Sequence, residues 1–160
     1  MIMLKKFLSL LLFILVMSVE SSDLNIKNIN SQMELLVHKT PTCGCCKMWV
    51  KHIENNGFTA NTQDHQSLID IKEKLKIEPK YRSCHTAVSS EGYFFEGHVP
   101  SKYINQFLME SNPDAIGLSV PGMPLGSPGM EVEGRFMPYD VLIHFKDGRT
   151  KVYAEVRGLW

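Results

Sequence analysis

The apolar positions of this chain fall into short runs whose period changes along its length. Leu35, Leu36 and Val37 lie between Glu34 and Lys39, a compact run that predicts a buried strand over Glu34–Lys39. From Cys46 the period lengthens: Trp49, Val50 and Ile53 share one helical face, with Lys47, Lys51 and Glu54 elsewhere. Asn56-Gly57 ends that helix, glycine being free to take the left-handed conformation there. Residues 58–63 alternate weakly and predict a second strand. Leu68, Ile71 and Leu75 return to helical spacing, with Ser67 as N-cap, Asp70 three residues on and Pro79 beyond the end. Thr86–Ser89 and Tyr93–Glu96 read as strands joined by Ser90-Glu91-Gly92. A third helix starts near Ser101, turns Tyr103, Ile104, Phe107 and Leu108 inward, and stops at Asn112-Pro113-Asp114.

Residues 117–138 break the pattern. Gly117 to Glu131 holds four of the eleven glycines and three of the eight prolines, which excludes a helix or a long strand and predicts a loop. The chain closes on a hairpin. Val141, Ile143 and Phe145 alternate with Leu142 and His144, Asp147-Gly148 turns, and Val152, Ala154 and Val156 return. The order β-α-β-α-β-β-α, then loop and hairpin, predicts one α/β domain over 34–160: a central mixed sheet flanked by helices.

The N-terminus differs in kind. Lys5-Lys6 precedes an apolar stretch from Phe7 to Val19, and Ser18 or Ser21, each with a valine two positions earlier, offers a cleavage site. Residues 1–21 therefore read as an export signal, too short to span a membrane comfortably, with an uncleaved anchor as the alternative. Residues 22–33 are polar and asparagine-rich and read as a flexible leader. Lysine plus arginine equals aspartate plus glutamate at 17 each, so nothing points to nucleic acid or to an anionic membrane surface.

Export sharpens the meaning of the four cysteines, because thiols outside the cytoplasm become disulfides unless something protects them. Cys43, Cys45 and Cys46 crowd the expected strand-to-helix turn, and Cys84 stands beside His85. A thiolate at a helix start is stabilised by unpaired N–H groups and the dipole, so its pKa falls. Four sulfurs within reach of one another suit Cu(I), zinc or an iron–sulfur cluster. The spacing is not that of a zinc ribbon, and three sulfurs on one turn crowd a single tetrahedral ion but bridge several copper ions. Two other readings stand beside this one. The cysteines form two disulfides in one of three pairings, or one disulfide beside two inert thiols, or else Cys43 and Cys46 form the redox pair of a thiol–disulfide oxidoreductase. Against redox shuttling, Cys45 lies between that pair and competes as a nucleophile. In addition, Cys84-His85-Thr86 occupies the place of a thioredoxin-like cis-proline loop.

His98, between Gly97 and a valine–proline turn, and Met123 and Met130, each after a glycine in the Pro/Gly loop, are further soft or borderline donors. Met137 is a poorer candidate, and Met109 reads as a core residue of the third helix. His38 and His144 read as sheet residues, His52 as a cation at a helix C-terminus, and His65 as a loop residue; none of these four is placed in the site. No general acid/base pair stands out, so hydrolytic chemistry has no support.

At these residues the sequence resembles the CopG-type copper-resistance proteins of Gram-negative bacteria, long catalogued as a domain of unknown function. The resemblance runs over about residues 35–157. It includes Pro41 to Cys46, Arg82 to Thr86, Glu96 to Pro100, Pro121 to Pro124, Gly126 to Glu131 and Tyr139 to Leu142. It implies a thioredoxin-like fold, a periplasmic setting, copper ions bound by the cysteines, and interconversion of Cu(I) and Cu(II); taken with the crowded cysteine turn, the expectation is a multinuclear Cu(I) cluster. It also implies exchange with periplasmic copper-handling or electron-transfer proteins. By position Cys43, Cys45, Cys46 and Cys84 take the family's cysteines, and His85, His98, Met123 and Met130 match its motif positions.

Overall fold

The structure, a computed structural model, describes residues 33–158. The expected signal at 1–21, and the leader except Met33, lie outside the described residues.

Seven strands form one sheet: β1 Glu34–Lys39, β2 Thr59–Asp64, β3 Thr86–Ser89, β4 Phe94–Glu96, β5 Ala115–Ser119, β6 Tyr139–Phe145 and β7 Thr150–Val156. Their spatial order is β2-β1-β3-β4-β5-β6-β7. β1–β2 and β4–β5 pair parallel and the other neighbours antiparallel, so the sheet is mixed as the element order predicts. Among the described residues three α-helices accompany it: α1 Gly44–Asn55, α2 Ile69–Lys74 and α3 Ser101–Met109. A 3-10 turn spans Pro79–Tyr81.

Cross-strand register explains the core. Val37, Ala87, Phe95, Leu118 and Ile143 pair in one continuous row, so their side chains share a face. Trp49 and Ile53 of α1 and Ile104 and Phe107 of α3 join them in one buried cluster. The next row is polar. His38 pairs with Thr86, Thr86 with Glu96, and Glu96 with Ser119. Lys72 of α2 meets that row: its ammonium donates to Thr86 Oγ1 at 3.0 Å and forms an ion pair with Glu96, both side chains being buried. Glu96 Oε2 also accepts from the Thr86 hydroxyl at 2.6 Å.

Three sequence readings need correction, and the return strand, placed as expected, carries a bulge. The stretch read wholly as loop opens with β5, because Ala115–Ser119 lies between β4 and β6 and both neighbours supply its hydrogen bonds. Met109 is 77% exposed rather than core; α3 ends there, and its inward stripe stops at Phe107 and Leu108. Val152 is exposed because a bulge interrupts β7. Val141 pairs with Ala154 and Leu142 with Val152, so Tyr153 is extra and packs instead on Phe107 and Tyr103. Ser67 does not cap α2, whose N-cap is Leu68, although its hydroxyl accepts from the Ile69 N–H at 3.3 Å.

Candidate metal centre

The site grows from the end of β1. The chain leaves the sheet at Lys39, turns through Thr40-Pro41-Thr42, and enters α1 with Cys43 as the N-cap. A sulfur takes the place usually held by a serine or aspartate oxygen: Cys43 Sγ accepts from the Cys46 N–H at 3.3 Å. Cys43 and Cys46 are joined in a disulfide, and Cys45 and Cys84 are free. This is one disulfide with two free thiols rather than any of the three two-disulfide pairings, and in this state two of the four sulfurs are not thiols.

The second limb comes from the segment before β3. Cys84 and His85 precede Thr86, the first strand residue, so the alternation that would send neighbours to opposite faces does not apply to them. Cys84 Sγ lies 3.7 Å from Cys45 Sγ, 3.4 Å from His85 Nδ1 and 3.1 Å from His98 Nε2. Cys45 Sγ is 3.5 Å from Cys43 Sγ, and Cys46 Sγ is 3.6 Å from the Cys84 carbonyl oxygen. The donor atoms of Cys43, Cys45, Cys46 and Cys84 lie within 4.8 Å of one another, as do those of Cys84, His85 and His98. Cys84 is common to both groups.

His98 arrives from the turn after β4. Its Nδ1 stands 2.7 Å from the Pro128 carbonyl oxygen. A carbonyl only accepts, so Nδ1 carries the proton and Nε2 presents a lone pair to Cys84. His85 is fully buried between Trp49 and His98, with ring centroids 4.4 and 5.0 Å away. Its Nε2 has no hydrogen-bond partner, an orphaned buried atom that costs about 1–3 kcal/mol. Burial holds its pKa well below the ordinary imidazole value, with His98 and Lys72 adding to the effect. Burial lowers His98 as well. Burial first, and Cys45 beside it second, push the Cys84 thiol up to about 12. The pocket thus holds neutral imidazoles and a thiol that stays protonated until a cation displaces the proton.

The Pro/Gly loop closes over the cysteine turn. Gly129, with φ +85°, packs so tightly on α1 that a Cβ there would stand 2.7 Å from both the Cys45 carbonyl oxygen and the Trp49 nitrogen. Gly97 is wedged likewise: a Cβ would stand 2.5 Å from the Val120 carbonyl oxygen and 2.6 Å from Ser83 Cβ. The Ser83 hydroxyl bonds the Gly122 carbonyl, and the Ser83 N–H donates to Glu96 Oε1 at 2.5 Å. The buried Lys72–Glu96 pair thus anchors the peptide that presents Cys84.

The structure brings all four cysteines, His85 and His98 together. Met123 is 52% exposed, next to the glycine whose carbonyl Ser83 binds. Met130 is half-buried after Gly129. Sequence reasoning missed Lys72, Glu96, Gly97 and Gly129. One available signal was the lone acid in the apolar run Tyr93-Phe94-Phe95-Glu96. His52 is corrected: its Nε2 accepts from the Ser101 N–H at 3.1 Å and burial lowers its pKa, so it is neutral rather than a cation at the helix end.

A mixed α/β sheet that gathers sulfur and imidazole donors at a strand-to-helix turn defines a protein with a thiol–imidazole pocket suited to soft metals. A family model described as a protein of unknown function, DUF411, matches residues 81–130. Two solved structures titled "Copper resistance protein copG", Forms 2 and 1, superpose with TM-scores of 0.73 and 0.72. Each is 40% identical to this chain and covers 78% of it and 98% of its own length. Among curated proteins none matches. The chain belongs to the CopG family of copper resistance proteins.

Proposed function

We propose that this is an exported, periplasmic copper-binding protein whose cysteine sulfurs hold Cu(I) as a multinuclear cluster. On this reading residues 1–21 are a cleaved signal, 22–33 a leader, and 34–160 a single thioredoxin-like domain. The parallel β1-α1-β2 unit with a C-x-x-C pair at the α1 start favours that fold assignment. The observation that carries the proposal is the convergence of four sulfurs and two neutral imidazoles around Cys84. Soft sulfur suits Cu(I), and His85 Nδ1 and His98 Nε2, 3.4 and 3.1 Å from Cys84 Sγ, add nitrogen donors at the same place. Cys43, Cys45, Cys46 and Cys84 supply the sulfur bridges and His98 a nitrogen. His85, Met123 and Met130 complete the set.

The disulfide gives the site a redox half. Two electrons from an external donor would open the Cys43–Cys46 bond to the two thiolates that complete the Cu(I) set, and single electrons passed between the bound ions and such partners would interconvert Cu(I) and Cu(II). Copper handling and electron exchange with other periplasmic proteins follow from the same chemistry. The reduced protein, loaded anaerobically with Cu(I), is expected to hold several copper ions per chain and to lose most of them in Cys84→Ser. A count below one per chain overturns the proposal.

The disulfide also favours a second reading, a thiol–disulfide oxidoreductase, since Cys46 is buried while Cys43 is half-buried and reachable. That reading requires metal-free turnover of a dithiol substrate and a mixed disulfide trapped at Cys43 by Cys46→Ser. Cys45, 3.5 Å from Cys43, disfavours it by resolving such an intermediate.

A further inference from the structure

Among the described residues, a pair of ligating side chains also meets outside the sulfur pocket. His38, near the end of β1, and His65, just past the end of β2, face each other with Nδ1 and Nε2 3.0 Å apart. Their rings are tilted by 53° with centroids 5.1 Å apart, so they meet through nitrogens rather than by stacking. The backbone fixes this meeting. β1 and β2 pair in parallel from Glu34↔Thr59 to Lys39↔Asp64, and the His65 N–H extends the ladder by donating to the Lys39 carbonyl at 2.9 Å. Asp64, next to His65 in sequence, is paired with Lys39. His38 also borders an open groove with Glu34, Leu36, Asn61 and Val88, which leaves room for water and an arriving ion.

We infer that His38 and His65 form a second metal site, separate from the sulfur pocket, that takes a divalent transition-metal ion through two imidazole nitrogens, Cu(II) foremost. The separation of the nitrogens fits. With metal–nitrogen bonds of about 2.0–2.1 Å, two ligands at a right angle stand about 2.9 Å apart, and two at a tetrahedral angle about 3.3 Å. The observed 3.0 Å lies near the right-angled edge of a tetragonal Cu(II) site. Imidazole suits Cu(II), Ni(II) and Zn(II), and among divalent first-row ions copper binds such donors most tightly. In the metal-free pair one ring carries the bridging N–H. On binding, that ring carries its proton on the other nitrogen and both rings turn to aim their lone pairs at the ion, so no proton is lost overall. Burial and the neighbouring His65 both lower the pKa of His38, which keeps its lone pair available at neutral pH. The pair sits at the carboxyl ends of two parallel strands, the edge at which open α/β sheets bind ligands, and β1 leads from His38 directly into the cysteine turn.

The inference stands independently of the Cu(I) reading, and the test keeps the two apart. In a Cys45→Ser/Cys84→Ser chain the remaining cysteines are joined, so added Cu(II) meets no free thiol. Titration with Cu(II), followed by electron paramagnetic resonance, is expected to give one tetragonal equivalent with hyperfine splitting from two nitrogens. That equivalent is expected to disappear in His38→Ala and in His65→Ala, both partly exposed positions whose loss leaves the core intact. Unchanged Cu(II) stoichiometry in either variant, or no bound Cu(II) before substitution, overturns the inference. His65→Ala in the otherwise intact chain is expected to keep its full Cu(I) load, and a fall there contradicts a separate site.

Discussion

The two nitrogens of His98 have divided tasks: Nδ1 is held by the Pro128 carbonyl and Nε2 faces Cys84 at 3.1 Å. The sulfurs were legible because three of them lie within four positions. The roles of the histidines were not, since the carbonyl that sets the tautomer of His98 is 30 positions away. Local irregularity also decided His85, which precedes β3 and so escapes the strand alternation. His144 carries a prediction at the same scale. It is buried, bonded to Ser119 Oγ at 2.7 Å, and burial brings its pKa down to about 4 from 6.5. A group neutral in the fold and protonated on unfolding contributes stability that is complete above about pH 6.5 and lost as pH falls toward 4. His85, His98 and His52 shift the same way and steepen the loss. The urea midpoint of the metal-free protein is expected to fall steadily between those pH values, and less steeply in His144→Gln. A flat profile would remove the buried neutral histidine from the account.

At the scale of elements, the site depends on two contacts that join segments distant in sequence. One is the seat of the Pro/Gly loop on α1. Gly129→Ala places a methyl group where backbone already stands, at a positive φ that disfavours alanine, and is expected to lift residues 121–131 off the cysteine turn. The signature is faster alkylation of Cys45 with little change in far-ultraviolet circular dichroism; unchanged alkylation would show that the loop does not cover the turn. The other contact is the Lys72–Glu96 pair beneath Cys84. Lys72→Met leaves the buried Glu96 carboxylate without its cation and is expected to cost about 3–5 kcal/mol in urea unfolding. A cost within about 0.5 kcal/mol, typical of a surface change, would mean the pair is not buried in solution. Helix and strand periods were legible for nearly every element because each buries one face. β5 was not, because a five-residue strand covered on both edges needs no alternation of its own and its glycine reads as loop. Lys72 was unreadable for a related reason: a lysine on a helix reads as solvent-facing until Glu96, 24 positions away, claims it.

For the whole molecule, the strand order could not be read from periodicity, since it depends on which edges meet rather than on which faces are buried. What it accomplishes is plain once seen. Placing β3 beside β1, with β4 next, brings the Cys84-His85 segment and the His98 turn to the end of the sheet where α1 begins. The copper reading therefore rests on topology as much as on residue type, and the same topology sets His38 and His65 together at the end of the parallel pair. The most direct test is X-ray absorption at the copper edge on the reduced protein loaded with Cu(I). The account predicts a first shell dominated by sulfur, with a copper–copper vector that disappears in Cys84→Ser. A shell of nitrogen and oxygen alone, or one unchanged by that substitution, would contradict it.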